Sequence, residues 1–306
     1  MLKKDMTTKI KHNDEEKLLT ISPIKRDILD DKVLMTRLKD LIVELTMWDK
    51  GVITDDEFLE YVGFKQLNNS RAFELISLNG VLVGYLILNI AQKQKTLTIN
   101  SLILFPEYRH QKIGKTTLRL ILAEAKRDGY KYVTIGVEMS NKVAHGLYIS
   151  LGFIPVTETY NIIKHGAHQP VIPKEFQLVT DRKDLSKEQT KALDDFYRKY
   201  HSDISAITTL YDAGFFWYEK EKYNQLTKYD DNGEIVATTG IFDLGDAVTV
   251  DFPIGKTEKD IIAILQVAIQ YFNRPVLLFV SVKAKYQSVI KQFPCTIAHQ
   301  QLCKTL

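Results

Sequence analysis

Between Leu102 and Phe153 the chain reads LILFPEYRHQKIGKTTLRLILAEAKRDGYKYVTIGVEMSNKVAHGLYISLGF, and no other stretch limits its fold so tightly. An apolar strand, Thr96–Phe105, stops at Pro106. A short basic loop then opens a helix over Gly114–Asp128, whose apolar stripe is Leu118, Ile121, Leu122 and Ala125 and whose end is Gly129. Tyr132–Val137 reads as a strand and Lys142–Leu151 as a second helix closed by Gly152. A strand feeding a tight loop at a helix N-terminus is a device for holding phosphate. Unpaired backbone N–H groups and the positive end of the helix dipole converge there.

The flanking sequence predicts an α/β domain around this unit. Leu18–Ile24 reads as a strand. Asp31–Trp48 reads as a helix with Leu34, Leu38, Leu41, Ile42 and Leu45 on one side, and Asp55–Tyr61 as a short helix capped by Thr54. Arg71–Leu78 and Val81–Ala91 are strands joined through Asn79-Gly80, a hairpin signal because both turn residues need positive φ. Phe153–Ile163 is expected as two short strands. His165–Asp184 is a connector rich in turn residues, with a short strand at Phe176–Val179.

After the connector the order recurs. Helices are expected over Lys187–His201 and Asp203–Ala213, then strands Tyr223–Tyr229 and Ile235–Leu244 joined through Asp230-Asp231-Asn232-Gly233. Strand Val248–Phe252, helix Thr257–Phe272, strand Val276–Val282, helix Ala284–Phe293 and a strand from about Thr296 to Leu302 complete it. The tetrapeptide Ile113-Gly114-Lys115-Thr116 reappears as Ile254-Gly255-Lys256-Thr257, but six residues separate Pro106 from the first and none separate Pro253 from the second. Two related domains in tandem follow, the second without the phosphate loop. The Gly-Lys-Thr is not a nucleotide P-loop, since Arg109 and Val250 stand where that motif needs its first glycine.

Composition narrows the function. The net charge of +3 is too small to argue for nucleic acid, no apolar run approaches a membrane span, and the start of the chain is polar, so a cytoplasmic location is expected. Cys295 and Cys303 lack a CxxC or His-rich partner, and His165-x-x-His168 lacks an acidic or Cys partner, so no metal is expected.

Arg109-His110-Gln111-Lys112-Ile113-Gly114, with Asn141-x-x-Ala144-x-x-Leu147-Tyr148-x-x-x-Gly152-Phe153, resembles the paired signatures of the GNAT superfamily of N-acetyltransferases. The resemblance implies a mixed, mostly antiparallel central sheet flanked by helices, an α/β (α+β) fold, here duplicated. Residues 1–165 would be the acetyl-CoA-binding catalytic domain, 166–185 the connector and 186–306 a degenerate copy. It further implies acetyl-CoA as co-substrate, its pyrophosphate on the backbone of Gln111, Lys112, Ile113, Gly114 and Lys115, with Arg109, Lys112 and Lys115 adding charge and His110 in the loop. Backbone groups of Leu102, Ile103 and Leu104 would pair with the pantetheine arm, as would Asn141, also a good helix N-cap. Lys112 replaces the family's usual glycine, and fits if its φ is negative.

The implied chemistry is direct acyl transfer to an amine, with Tyr148 giving a proton to the leaving thiolate and a strand-end N–H polarising the carbonyl. Members that acetylate ribosomal-protein N-termini carry a glutamate where Gly136 stands, so Glu138, two residues on and on the same side, is the candidate base. The acceptor is expected to be an amine on a small molecule or peptide, with no nucleic acid or membrane partner, and a homodimer is the candidate assembly. Asp55, Asp56, Glu57 and Glu60 could form an acidic rim, and Phe215–Tyr218 belong to the second domain's core. The competing readings are an acyl-CoA sensor without catalysis and a tandem-GNAT aminoacyl transferase using charged tRNA.

Overall fold

The computed structural model describes residues 5–12, 15–24, 30–45, 71–92, 95–162, 171–180, 184–200, 223–243, 245, 247–272, 274–281 and 284–306. The helices expected at Asp55–Tyr61 and Asp203–Ala213, the acidic rim, His165, His168 and Phe215–Tyr218 lie outside them. The chain forms two compact units that interleave in sequence. One holds Met1–Ile135, Ser150–Phe153 and Cys303–Leu306; the other holds Gly136–Ile149 and Ile154–Leu302.

The first unit contains β1 (Met6–His12), β2 (Glu15–Pro23), α1 (Lys32–Leu45), β3 (Arg71–Leu78), β4 (Val81–Ala91), β5 (Thr96–Leu104), α2 (Ile113–Arg127) and the start of β6 (Tyr132–Glu138). Strands run in the order β1-β2-β3-β4-β5-β6. Every pair is antiparallel except β5 with β6, which the α2 crossover makes parallel. The Asn79-Gly80 turn forms as predicted, with φ of 49° and 79°. Its Asn79 Oδ1 also accepts from the Leu18 N–H at 2.7 Å, which ties the hairpin tip to β2. β1 was not expected, although Met6, Thr8 and Ile10 alternate as a strand requires.

Alternation along β3 and β4 divides the core. Phe73 and Tyr85 stack with centroids 5.1 Å apart and, with Leu75, Ile87 and Phe105, pack around Met35 and Leu38 of α1. The stripe on α2 is buried as its spacing required: Leu118, Ile121, Leu122 and Ala125, joined by Ile113 and Thr117. Glu74 of β3 is also buried. Burial, with repulsion from Asp5 added, pushes its carboxyl up to about 8 from the ordinary 4.5. Between those two values the folded chain holds a proton that the unfolded chain has lost, so stability falls as pH rises from about 4.5 through 8. Glu74→Gln is expected to be nearly neutral at pH 5 and stabilising by about 2–4 kcal/mol at pH 8.5. Urea denaturation at the two pH values checks it.

The second unit contains the end of β6, α3 (Lys142–Ser150), β7 (Ile154–Ile162), β8 (Phe176–Val179), α4 (Lys187–Tyr200), β9 (Tyr223–Tyr229), β10 (Ile235–Asp243), β11 (Val248–Gly255), α5 (Glu258–Tyr271), β12 (Val276–Ser281), α6 (Ala284–Ile290) and most of β13 (Cys295–Thr305). Its strands run β13-β7-β12-β11-β10-β9-β8. β8 to β11 pair antiparallel, β11 and β12 parallel, repeating β2 to β6. β7 is one continuous strand, not the two expected, and its residues from Thr157 to Ile162 pair with β12. Val248, Val250, Leu278 and Tyr160 meet Ile261, Ile264, Leu265 and Ala268 of α5 in its core.

Candidate functional site

The first unit supplies the loop. Leu102, Ile103 and Leu104 pair with Leu86, Tyr85 and Gly84 of β4. On the other side, the parallel ladder to β6 covers only Thr96–Ile99. The strand changes register where that ladder stops: Ser101 faces Ile87 and Ile99 faces Leu88, so Asn100 is an extra residue. Such a bulge bends a strand, and here it falls just past the last pair of the ladder with β6.

A single 3-10 turn, Pro106–Tyr108, follows. Glu107 pairs with Arg37, whose guanidinium lies 4.1 Å from the centre of the Phe105 ring. Arg109 Nε donates to the Leu104 carbonyl at 3.0 Å, and Gln111 Nε2 donates to the Glu107 carbonyl at 2.6 Å. Arg109 therefore clamps the loop to the end of β5 as well as adding positive charge.

His110 and Lys112 are both left-handed, with φ of 61° and 64°. The expectation of negative φ at Lys112 is overturned. Lys112 is the N-cap of α2, and that conformation is what turns the chain into the helix. A residue with a Cβ pays about 1 kcal/mol there. Lys112→Gly is therefore expected to raise stability by about 1 kcal/mol in urea denaturation, while removing one cation from the loop.

The start of α2 is electrostatically open. No side chain caps it and its first turn holds no acid. The Thr116 N–H reaches back to the Lys112 carbonyl at 3.0 Å, but the amides of Ile113, Gly114 and Lys115 have no helical carbonyl before them. A Cβ on Gly114 would meet only Leu104 Cδ1, at 3.8 Å. The fold itself does not demand glycine there. The matching end of α5 is closed. Thr257 and Asp260 form a reciprocal capping box, and Asp260 also takes an ion pair from Lys228 at 2.9 Å. A carboxylate there occupies the place an anion would take, as expected for a copy without the loop.

The second unit holds the other group of residues. Asn141 caps α3, its Oδ1 accepting from the Ala144 N–H at 3.0 Å. Tyr148 on α3 is buried, which pushes its phenol up to about 12. Glu138 at the end of β6 is exposed and accepts from the Ser140 hydroxyl at 3.3 Å.

Two features here were not foreseen. The half-buried Gly136 faces His299 of β13: a Cβ on Gly136 would lie 2.6 Å from Nε2 and 2.8 Å from Cε1 of that imidazole. Next to His299, Gln300 joins a buried network. Its Oε1 contacts His145 Nε2 at 2.9 Å, while its Nε2 donates to Glu158 Oε1 at 2.8 Å. Glu158 Oε2 also accepts from Gln287 at 2.8 Å and Tyr160 at 2.5 Å. Because Gln300 donates to Glu158, its oxygen faces His145, and His145 Nε2 must carry the proton. The polar run His299-Gln300-Gln301, directly before Leu302 and Cys303, was the available signal.

Among the described residues no His, Cys, Asp and Glu group could hold a metal ion, and no helix is long and apolar enough to cross a membrane.

The acetyltransferase (GNAT) family model matches residues 37–153. No curated protein matches the chain in sequence. Among solved structures the chain is similar to a tandem GNAT protein from the clavulanic acid biosynthesis pathway. The two are 14% identical, with 94% of this chain and 98% of that one covered at a TM-score of 0.55. It is also similar to a GCN5-related N-acetyltransferase from Sphaerobacter thermophilus, at 14% identity, 94% and 95% coverage and a TM-score of 0.56. At such identities the likeness is one of fold, and it runs the length of both halves.

Proposed function

We propose that this chain, whose residues 37–153 match the acetyltransferase (GNAT) family model, is a member of that family, whose proteins use acetyl-CoA or CoA, and moves an acetyl group from acetyl-CoA directly onto an amine. The observation that carries the reading is the difference between two helix starts. α2 opens uncapped and free of acid behind a strand that parts from its neighbour, whereas α5, its counterpart, is closed by Thr257 and Asp260. Donors without acceptors at a dipole's positive end fit a diphosphate.

In this reading the amides from Gln111 to Lys115 hold the diphosphate, and Lys112, Lys115 and Arg109 supply positive charge, His110 standing among them. The backbone of Leu102, Ile103 and Leu104 pairs with the pantetheine amides as a strand would, and the Asn141 side chain reaches the same arm while capping α3. A backbone N–H at the end of β5 polarises the thioester carbonyl. Tyr148, holding its proton far above neutral pH, donates it to the departing thiolate. Residues 1–165 carry the chemistry, 166–185 connect, and 186–306 act as a copy that has lost the cofactor loop. The acceptor is a small molecule or a peptide bearing an amine, and the protein works in the cytoplasm.

Calorimetry with acetyl-CoA, followed by coenzyme A release with spermidine, lysine, glucosamine and an alanine-terminated peptide, tests the reading. Binding with amine-dependent release is expected. Absence of heat on mixing would sink it, and binding without release from any amine would leave a sensor of acyl-CoA instead.

A further inference from the structure

We propose that the second unit binds a primary amine, in its ammonium form, at a buried cluster of oxygen acceptors centred on Asp251, a site independent of the acetyl transfer proposed above. Gly240 of β10 pairs with Gln225 of β9 on one side and with Asp251 of β11 on the other. Residues paired directly across strands share a face, and Thr249, two before Asp251, shares it too. Val248 and Val250 alternate with them and belong to the core around Ile261 and Ile264 of α5, so this is the sheet face turned away from that helix. Successive strands lie about 5 Å apart, and Gly240 brings no side chain to the row. Gln225 and Asp251 therefore stand on either side of a position that the sheet leaves unfilled.

The groups around that position are acceptors without donors. Asp251 is fully buried, and Gln225 and Thr249 are nearly so. Gln225 Nε2 donates to the Thr238 hydroxyl at 2.6 Å and to the Thr239 carbonyl at 3.0 Å. A carbonyl can only accept, so the amide cannot be reversed, and Gln225 Oε1 is left with no partner. Neither carboxylate oxygen of Asp251 has a partner, and nor does the Thr249 hydroxyl. Burial pushes the Asp251 carboxyl up to about 7, while the Thr249 hydroxyl pulls it down. Among the described residues no Lys, Arg or His acts on it. Buried polar groups of folded proteins are paired in the great majority, so orphan oxygens gathered on one sheet face call for donors from outside the chain.

The chemistry of the cluster selects the ligand. A primary ammonium carries N–H donors and a single positive charge, and the cluster offers one negative charge with neutral oxygens beside it. One carboxylate neutralises a monocation, whereas a divalent metal ion would keep an uncompensated charge in a buried place. An anion would meet further negative charge. In so enclosed a setting a charge-assisted N–H contact is worth more than at the surface, which favours an ammonium over a quaternary amine that has no N–H to give.

Calorimetric unfolding of the full chain at pH 8, where the Asp251 carboxyl is mostly ionised, tests this with n-butylammonium chloride as the probe and no acetyl-CoA. Wild type should be stabilised in a saturating manner, its unfolding temperature rising by about 5–10 °C at about 100 times Kd. Tetramethylammonium chloride and KCl at equal ionic strength should give no comparable rise. Asp251→Asn keeps the shape of the side chain and removes its charge, so it should fold and lose the response. Thr249→Val keeps the carboxylate and should weaken binding roughly 3- to 10-fold. No rise with n-butylammonium overturns the inference, as does an equal rise in Asp251→Asn, which would put the amine elsewhere. A rise with KCl as large as that with n-butylammonium overturns it in favour of an alkali-metal site. If Asp251→Asn fails to fold, wild type decides: the Asp251 carboxyl resonance in carbon NMR must move on saturation with the probe, and an unmoved resonance overturns the assignment. Acetyl-CoA enters none of these measurements, so their outcome is separate from that of the function proposed above.

Discussion

Replacing Gly84 by alanine will unfold the first unit more readily and weaken the proposed acetyl-CoA binding in the same step. Gly84 lies on β4 opposite Leu104 of β5. A Cβ there would sit 2.1 Å from the Ile103 carbonyl oxygen, 2.9 Å from Leu104 Cδ2 and 3.0 Å from Leu104 Cα. Two of those three atoms are backbone, which no rotamer change can move. Relief requires β4 and β5 to separate, breaking ladder bonds at the centre of the sheet. Inserting a methyl into a packed core costs about 1–3 kcal/mol when side chains can yield, and more when they cannot. A loss of about 3–4 kcal/mol in urea denaturation is expected. The shift falls on Ile103 and Leu104, the strand end proposed to pair with pantetheine and, through the Leu104 carbonyl, the anchor of Arg109. Acetyl-CoA affinity by calorimetry should therefore fall at least about tenfold at a temperature where the variant remains folded. Gly114→Ala is the contrasting control. Its new methyl meets only Leu104 Cδ1 at 3.8 Å, so stability should hold within about 0.5 kcal/mol.

How much of this was legible in the sequence depends on how local the physics is. The Asn79-Gly80 turn and the Leu118–Ala125 stripe are determined within a few residues, and both formed as read. The repeat of element order was equally readable, because each element carries its own periodicity. Local reasoning about Lys112 failed, since a glycine preference was treated as a matter of clearance to the ligand. In the structure the left-handed φ is demanded by the entry into α2 itself. Nor could any pattern near residue 136 reveal His299. The two are 163 positions apart in the chain, and only the placement of β13 brings the imidazole to the glycine. The interleaving of the two units was hidden for the same reason. β7 looks like the close of the first repeat and pairs along β12 of the second.

Tyr148→Phe isolates the proposed acid from everything that positions it. The phenol is buried, and its proton is held to about pH 12 by that burial. Removing one oxygen from a buried ring leaves the ring's packing on α3 in place, so acetyl-CoA affinity should stay within about threefold. The rate should not. Without a donor, the thiolate must leave as an anion or wait for water, and general acid catalysis of this kind is worth roughly 100- to 10,000-fold. A fall in kcat of that size, with KM for acetyl-CoA nearly unchanged, identifies an interaction made in the transition state alone. The sign of the pH dependence adds a second reading. A phenol raised to about 12 remains protonated throughout the working range, so wild-type activity should show no alkaline loss from this group below about pH 11. Retention of full kcat by Tyr148→Phe would place the proton source elsewhere and reduce Tyr148 to a core aromatic of α3.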